Sequence, residues 1–170
     1  ESSTAPEHSR AVSAPQIGFA SPTGNLVCTM DVTRGVRCHA LEATWTGADV
    51  PASKQQNCDT QAVGEFGPGQ DVVLTPDGSF GSCVTEISVF EAVALNEGQP
   101  NKYGADHRAW ARPDDQLVEF LPGLSAYVLP YGSTATTGRF TCTMAETGID
   151  CTDAQSTAGF HLSKADLTLR

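Results

Sequence analysis

Residues 28–40 read CTMDVTRGVRCHA, and residues 142–154 read CTMAETGIDCTDA. Both run Cys-Thr-Met, a short polar turn, Gly, an aliphatic residue, one further residue and Cys. The match extends upstream, where Thr23-Gly24-Asn25-Leu26-Val27-Cys28 aligns with Thr137-Gly138-Arg139-Phe140-Thr141-Cys142. Each copy therefore reads as a Thr-Gly turn, a strand carrying Cys, a polar turn and a return strand carrying Cys. Cys28 and Cys38 stand ten residues apart, and Cys142 and Cys151 nine. In a hairpin with a short turn, residues at that separation lie nearly opposite, where their Cα atoms come within bridging distance. The expectation is one stapled hairpin used twice, bridged 28–38 and 142–151, which leaves Cys58 and Cys83 as a third pair by elimination. Other connectivities of six cysteines exist, and sequence alone proves none of them.

Outward from the repeats the pattern stays β. NLVCTMDV and GVRCHALEA alternate with period 2 around Thr33-Arg34-Gly35, and RFTCTMA and GIDCTDA do so around Glu146-Thr147-Gly148. DVVLTPDGSFGSCV is a third hairpin candidate, because Asp77-Gly78 supplies the positive φ of a tight turn. Gly24, Gly35, Gly138 and Gly148 read as turn formers. The fold expected is mainly β, a small barrel or sandwich, within one domain over residues 16–170.

Residues 84–126 break this style and predict one or two short helices in an insertion. Ser88 and Glu91 have capping-box spacing, with Glu97-Gly98 as a stop, although SVFEAVAL suits a buried strand equally. RPDDQLVEFLPG reads as the cleaner helix: Pro113 in the first turn, Asp114 and Asp115 complementing the dipole, and Leu117, Phe120 and Leu121 on one face. Residues 1–15, ESSTAPEHSRAVSAP, predict a disordered tether, following a lipid anchor or membrane segment or simply beginning a mature chain.

Composition narrows the function. Twenty acidic against ten basic residues give a net charge of −10, a field that repels nucleic acid and anionic membranes. No apolar run approaches the roughly 20 residues of a membrane span. Six cysteines with no Cys-x-x-Cys favour disulfides in an oxidising compartment over zinc or redox motifs.

The repeats also carry a family resemblance. FASPTGNLVC (19–28) is similar to the Phe-x-Ser-Pro-Ser-Gly-Asn-Ile-x-Cys opening of an uncharacterised family of secreted proteins and lipoproteins of actinobacteria. VRC (36–38), LPYG (129–132), GRFTC (138–142), GIDCT (148–152) and GFHLSKADLTL (159–169) follow that family's order. Thr23 stands for the usual Ser, Asp153 for a common Asn, and Thr157-Ala158 loosens the usual Gly-His-Gly-Phe; residues 84–126 lie outside the pattern. The resemblance implies an exported envelope protein and transfers no catalytic residue.

Chemistry-bearing motifs are absent: no Gly-x-Ser-x-Gly elbow, no His-Glu-x-x-His, no phosphate-binding glycine loop, no EF-hand. His8, His39, His107 and His161 are scattered without ligand spacing, so no metal and no cofactor is expected. Asn25 is read as bonding local backbone and Tyr131 as a packed strand end. Against the acidic background DHRAWAR (106–112) stands out. Tyr103, His107, Arg108, Trp110 and Arg112 form the candidate binding set, since an aromatic flanked by guanidinium groups is typical of interaction hot spots. The alternative places Trp110 in the core with the arginines paired to Asp106, Asp114 or Asp115.

Two functions are carried forward. One is a non-enzymatic binding or scaffolding domain outside the cytoplasm, on a bacterial envelope, recognising a protein or glycan. The other is an exported hydrolase of envelope polymers using a carboxylate pair, which would need two close acids in a cleft, one with a raised pKa.

Overall fold

The computed structural model describes residues 9–44, 71–74, 76, 80–81 and 108–170. Its strands are β1 (Ala11–Ser13), β2 (Gln16–Ala20), β3 (Leu26–Asp31), β4 (Gly35–Ala40), β5 (Asp71–Leu74), β6 (Phe80–Gly81), β7 (Leu117–Leu121), β8 (Leu124–Tyr127), β9 (Thr134–Thr137), β10 (Phe140–Ala145), β11 (Gly148–Asp153), β12 (Gly159–Leu162) and β13 (Leu167–Leu169).

The duplicated letters mark a larger duplication. One sheet runs β2-β3-β4-β5-β6, and the other runs β9-β10-β11-β12-β13 with β1 added to the free edge of β9. Each repeat is thus an antiparallel meander of five strands. The registers correspond residue for residue. Cys28 opposes Cys38 as Cys142 opposes Cys151, and Met30 opposes Val36 as Met144 opposes Ile149. On the far side of the return strands, Cys38 faces Val72 and Val36 faces Leu74, as Cys151 faces Phe160 and Ile149 faces Leu162. The one-residue difference in cysteine spacing falls in the turns: three residues separate Asp31 from Gly35, and two separate Ala145 from Gly148.

Both hairpins are stapled where the sequence placed the cysteines. Cys28–Cys38 and Cys142–Cys151 are disulfides with Cα separations of 4.1 and 4.0 Å. The Cys58–Cys83 pairing lies outside the described residues. The four turn glycines have φ of 79° (Gly24), 92° (Gly35), 60° (Gly138) and 129° (Gly148), conformations that L side chains rarely adopt. Gly148 is also required sterically, since a Cβ there would stand 2.4 Å from the Leu162 carbonyl oxygen of the neighbouring strand.

The repeats share a second tie. The residue after each Thr-Gly accepts a backbone hydrogen bond from just beyond the return strand, Leu41 N to Asn25 O at 2.8 Å and Ala154 N to Arg139 O at 2.9 Å. Their side chains reinforce this differently. The Asn25 amide spans the Glu42 backbone, accepting from its N at 2.7 Å and donating to its O at 3.0 Å, a partner 17 residues away rather than the local one expected. Arg139 instead forks onto the buried Asp153 carboxylate at 2.7 and 2.5 Å.

Both sheets face one core. Phe19, Met30 and Leu74 from the first meander and Phe140, Met144 and Phe160 from the second are fully buried in a single cluster. Each such side chain contributes roughly 1.5–3 kcal/mol over its exposed state. The hydrogen-bonded order does not close into a barrel among the described residues; β2 packs beside β8 and is joined just past the end of β8 by the bridge Ala20–Val128 and a Leu129 N to Ala20 O bond of 3.0 Å.

Two expectations need correction. Residues 117–121 are not helical: they form β7, which pairs antiparallel with β8 across a turn at Pro122-Gly123, with Gly123 at φ 80°. Pro-Gly suits the centre of a type II turn, and β7 docks its backbone over Gly24 while Phe120 buries against Val27 and Ala126. A bulge between Glu119 and Leu121 lets a run with helix-like spacing bury one residue and leave Leu117 and Glu119 exposed. The tether likewise ends before residue 15, because Ala11–Ser13 is a strand whose Val12 is buried and which pairs in parallel with Thr134–Thr136. Three residues carry no periodicity; the unpaired edge of β9 recruits them. Residues 1–8 and the helix expected near 88–98 lie outside the described residues. The third hairpin is present in its strands, with Leu74 opposite Phe80.

Candidate functional site

The matching registers relate the two meanders as equivalent units, so the turn of each can be compared against the Thr-Gly corner of the other. The comparison is unequal. Val32, in the β3–β4 turn, lies against Gly138, its Cγ1 3.3 Å from where a Cβ would stand. The equivalent pairing would set the β10–β11 turn, Glu146-Thr147, against Gly24, and there both line a groove of about 680 Å³. What covers Gly24 is β7: a Cβ on Gly24 would meet Val118 Cγ2 at 3.2 Å and the Glu119 carbonyl oxygen at 3.3 Å.

Six separate segments build this groove. The β2–β3 corner contributes Ser21, Thr23 and Asn25, and the residues after β4 contribute Leu41 and Glu42. Glu119 and Phe120 of β7 line it, together with Tyr131, the β10–β11 turn and Ser163–Ala165 between β12 and β13. The repeats are tied here, since Thr44 donates its N–H to the Lys164 carbonyl at 2.8 Å.

Most lining donors are spent on the fold. Ser21 Oγ accepts from Leu26 N at 3.1 Å and shares a 3.2 Å contact with Thr23 Oγ1. The Asn25 amide is held at both ends by Glu42. Lys164 Nζ stands 3.4 Å from a Glu42 carboxylate oxygen, both side chains well exposed. Left over are the Glu146 carboxylate and the Tyr131 and Thr147 hydroxyls, which have no hydrogen-bond partner among the described residues, and Glu119, with one long contact of 3.4 Å from Gly123 N.

The Glu146-Thr147 turn is braced from behind. His161 places Nε2 3.0 Å from the Thr147 carbonyl oxygen and Nδ1 3.1 Å from Asp150 Oδ2, and the Arg170 guanidinium ion-pairs the same Asp150 carboxylate. Burial opposes ionisation of Asp150, but the hydrogen bonds from Arg170 and His161 outweigh it and lower its pKa.

The sequence-predicted set lies elsewhere. Tyr103 and His107 are outside the described residues. Arg108, Trp110 and Arg112 are described, and none lines the groove. Trp110 is half-buried against the core, its Nε1 donating to the Gly18 carbonyl at 2.8 Å. That bond satisfies a carbonyl of β2, the edge strand of its sheet. The Tyr127 ring meets the indole edge-on at 6.3 Å, and the Arg10 guanidinium sits 5.4 Å from the indole centroid. Arg10 also ion-pairs Asp115, whose Oδ2 accepts the Arg112 backbone N–H at 2.7 Å. The stretch 108–116 therefore folds through turns around an anchored Trp, with Ala109 and Arg112 exposed.

Of the remaining histidines, His39 is buried, and burial pushes its pKa down to about 4. Among the described residues three carboxylates are displaced, all downward: Asp31, Asp150 and Asp153. None of them lines the groove. No cluster of three metal-ligating side chains occurs among the described residues. No helix among them is long and apolar enough to cross a membrane. No family model, curated protein or solved structure matches the chain.

The groove residues carry no local signal. Glu146 sits in a polar turn, and Glu119 in a run that reads as helix. Only the comparison of the two repeats, corner against turn, points to the place.

Proposed function

We propose that this chain is a non-enzymatic binding or scaffolding domain acting outside the cytoplasm, on a bacterial envelope, and that its protein or glycan partner occupies the groove between the repeats. The observation that carries this reading is the unequal treatment of equivalent positions: Val32 lies against Gly138, whereas Gly24 is covered by β7 and shares an open groove with the Glu146-Thr147 turn. Two disulfides suit an oxidising compartment. The envelope assignment rests on the family resemblance. Binding is favoured over carboxylate hydrolysis because, among the described residues, the displaced carboxylates move down, towards permanent ionisation, and lie off the groove.

The test is a groove-blocking variant. Thr147→Trp fills the groove from an exposed turn position, and Thr168→Trp adds the same ring at an exposed position away from it. Immobilised full chain is exposed to solubilised envelope, untreated, protease-treated or stripped of glycan. Retention of one fraction by the parent and by Thr168→Trp, but not by Thr147→Trp at unchanged melting temperature, is expected. Equal retention by all three, or release of cleaved polymer by the parent, overturns the reading.

A further inference from the structure

We infer that the groove selects a cationic, lysine- or arginine-bearing peptide segment; this rests on the groove being the binding site. Chemistry rather than shape makes the choice. Glu42, Glu119 and Glu146 line the groove against a single cation, Lys164, and Glu42 and Lys164 already stand as a pair. The charge left over is therefore that of Glu119 and Glu146, on β7 and on the β10–β11 turn. A carboxylate only accepts hydrogen bonds, so it asks for a donor, and the strongest donors are ammonium and guanidinium groups. Tyr131, half-buried in the same lining, adds an aromatic group of the kind that attracts cations.

A glycan would make a different demand. Sugar hydroxyls both donate and accept, and are recognised by groups that answer both needs, such as amides. The one amide among the described lining residues, Asn25, is committed at both its oxygen and its nitrogen to the Glu42 backbone, which leaves the Tyr131 and Thr147 hydroxyls as the groups that could answer a sugar, against two uncommitted carboxylates. The net charge of −10 adds a field that draws a basic segment in and repels an anionic one.

The experiment titrates the full chain calorimetrically with an amidated hexalysine peptide at low ionic strength, and in parallel with neutral chitohexaose. Glu119→Gln and Glu146→Gln each remove one groove charge, and Asp114→Asn removes one exposed charge outside the groove. Weakening of hexalysine binding by about tenfold in each Glu variant, with less than about twofold in Asp114→Asn, is expected. Equal small losses in all three mean attraction to the acidic surface in general and overturn the inference, as does failure of hexalysine to bind. Binding of chitohexaose that survives both Glu substitutions but is lost in Thr147→Trp removes the cationic assignment and leaves the groove as the site. Binding of hexalysine unaffected by Thr147→Trp removes both.

Discussion

Val32 and Gly138 touch across the interface between the repeats, with the valine Cγ1 3.3 Å from where a Cβ on Gly138 would stand. Three glycines of the fold separate backbone strain from contact. Gly123 has φ 80° and open space around it, Gly138 has φ 60° and Val32, and Gly148 has φ 129° and the Leu162 carbonyl at 2.4 Å. Alanine at Gly123 is expected to cost about 1 kcal/mol, the left-handed backbone cost alone. Gly138→Ala costs about 2 kcal/mol, because Val32 must also yield. Gly148→Ala costs most, roughly 3 kcal/mol or more, because strand β12 itself must move. Urea unfolding of the three variants tests the order; equal losses would mean that the contacts add nothing.

The two disulfides should be energetically interchangeable. They close loops of nearly equal length, with separations of 10 and 9 residues, at equivalent registers. Replacing either pair by alanine is expected to cost about 3 kcal/mol in the chain-entropy model. Denaturant titration of each double variant checks this, and a difference above about 1 kcal/mol would show that the repeats are not equivalent in the unfolded chain. Mass mapping of non-reduced peptides settles whether Cys58 pairs with Cys83.

Trp110→Ala separates the two roles open to that residue. The indole caps the Gly18 carbonyl and holds Arg10 and Tyr127 around it. A loss of about 3 kcal/mol is expected, the lower end for a large aromatic because the ring is half-buried. An unchanged melting temperature would point instead to an exposed contact residue in the 103–112 stretch.

Acid should weaken the domain in two steps. His39 has a pKa of about 4 in the fold against an ordinary 6.5, so the unfolded chain binds more protons between these values. Stability is full above 6.5, falls as pH drops through that window by about 3 kcal/mol, and levels off below it. Asp31 contributes to the second step, together with Asp150 and Asp153, whose carboxyls are also held below the ordinary value. Burial opposes ionisation of Asp31, but hydrogen bonds from Thr33, Gln16 and Arg34 prevail and hold its pKa at about 2 against 3.8. Its contribution is present above 3.8 and is lost as pH falls through 2. His39→Gln is expected to flatten the first step and keep the second; urea midpoints across both windows decide it.

The sequence by itself determined the repeat, the hairpin pattern and the glycine turns, and made 28–38 and 142–151 the natural bridges, which the structure forms. These features are local: strand pairing across a short turn is set by period-2 alternation and turn chemistry, and opposed cysteines follow from register. Tertiary structure decided the rest. LVEFLPGLSAY carries helix-start and hairpin signals together; docking of β7 over Gly24 and the pull of Arg10 on Asp115 select the strand and the turn before it. Ala11–Ser13 becomes a strand only because β9, more than 120 residues later, offers an edge. The groove is set by packing alone, since β7 comes to lie over Gly24 and lines one groove with the Glu146-Thr147 turn, over distances along the chain at which no periodic pattern records which residues will meet.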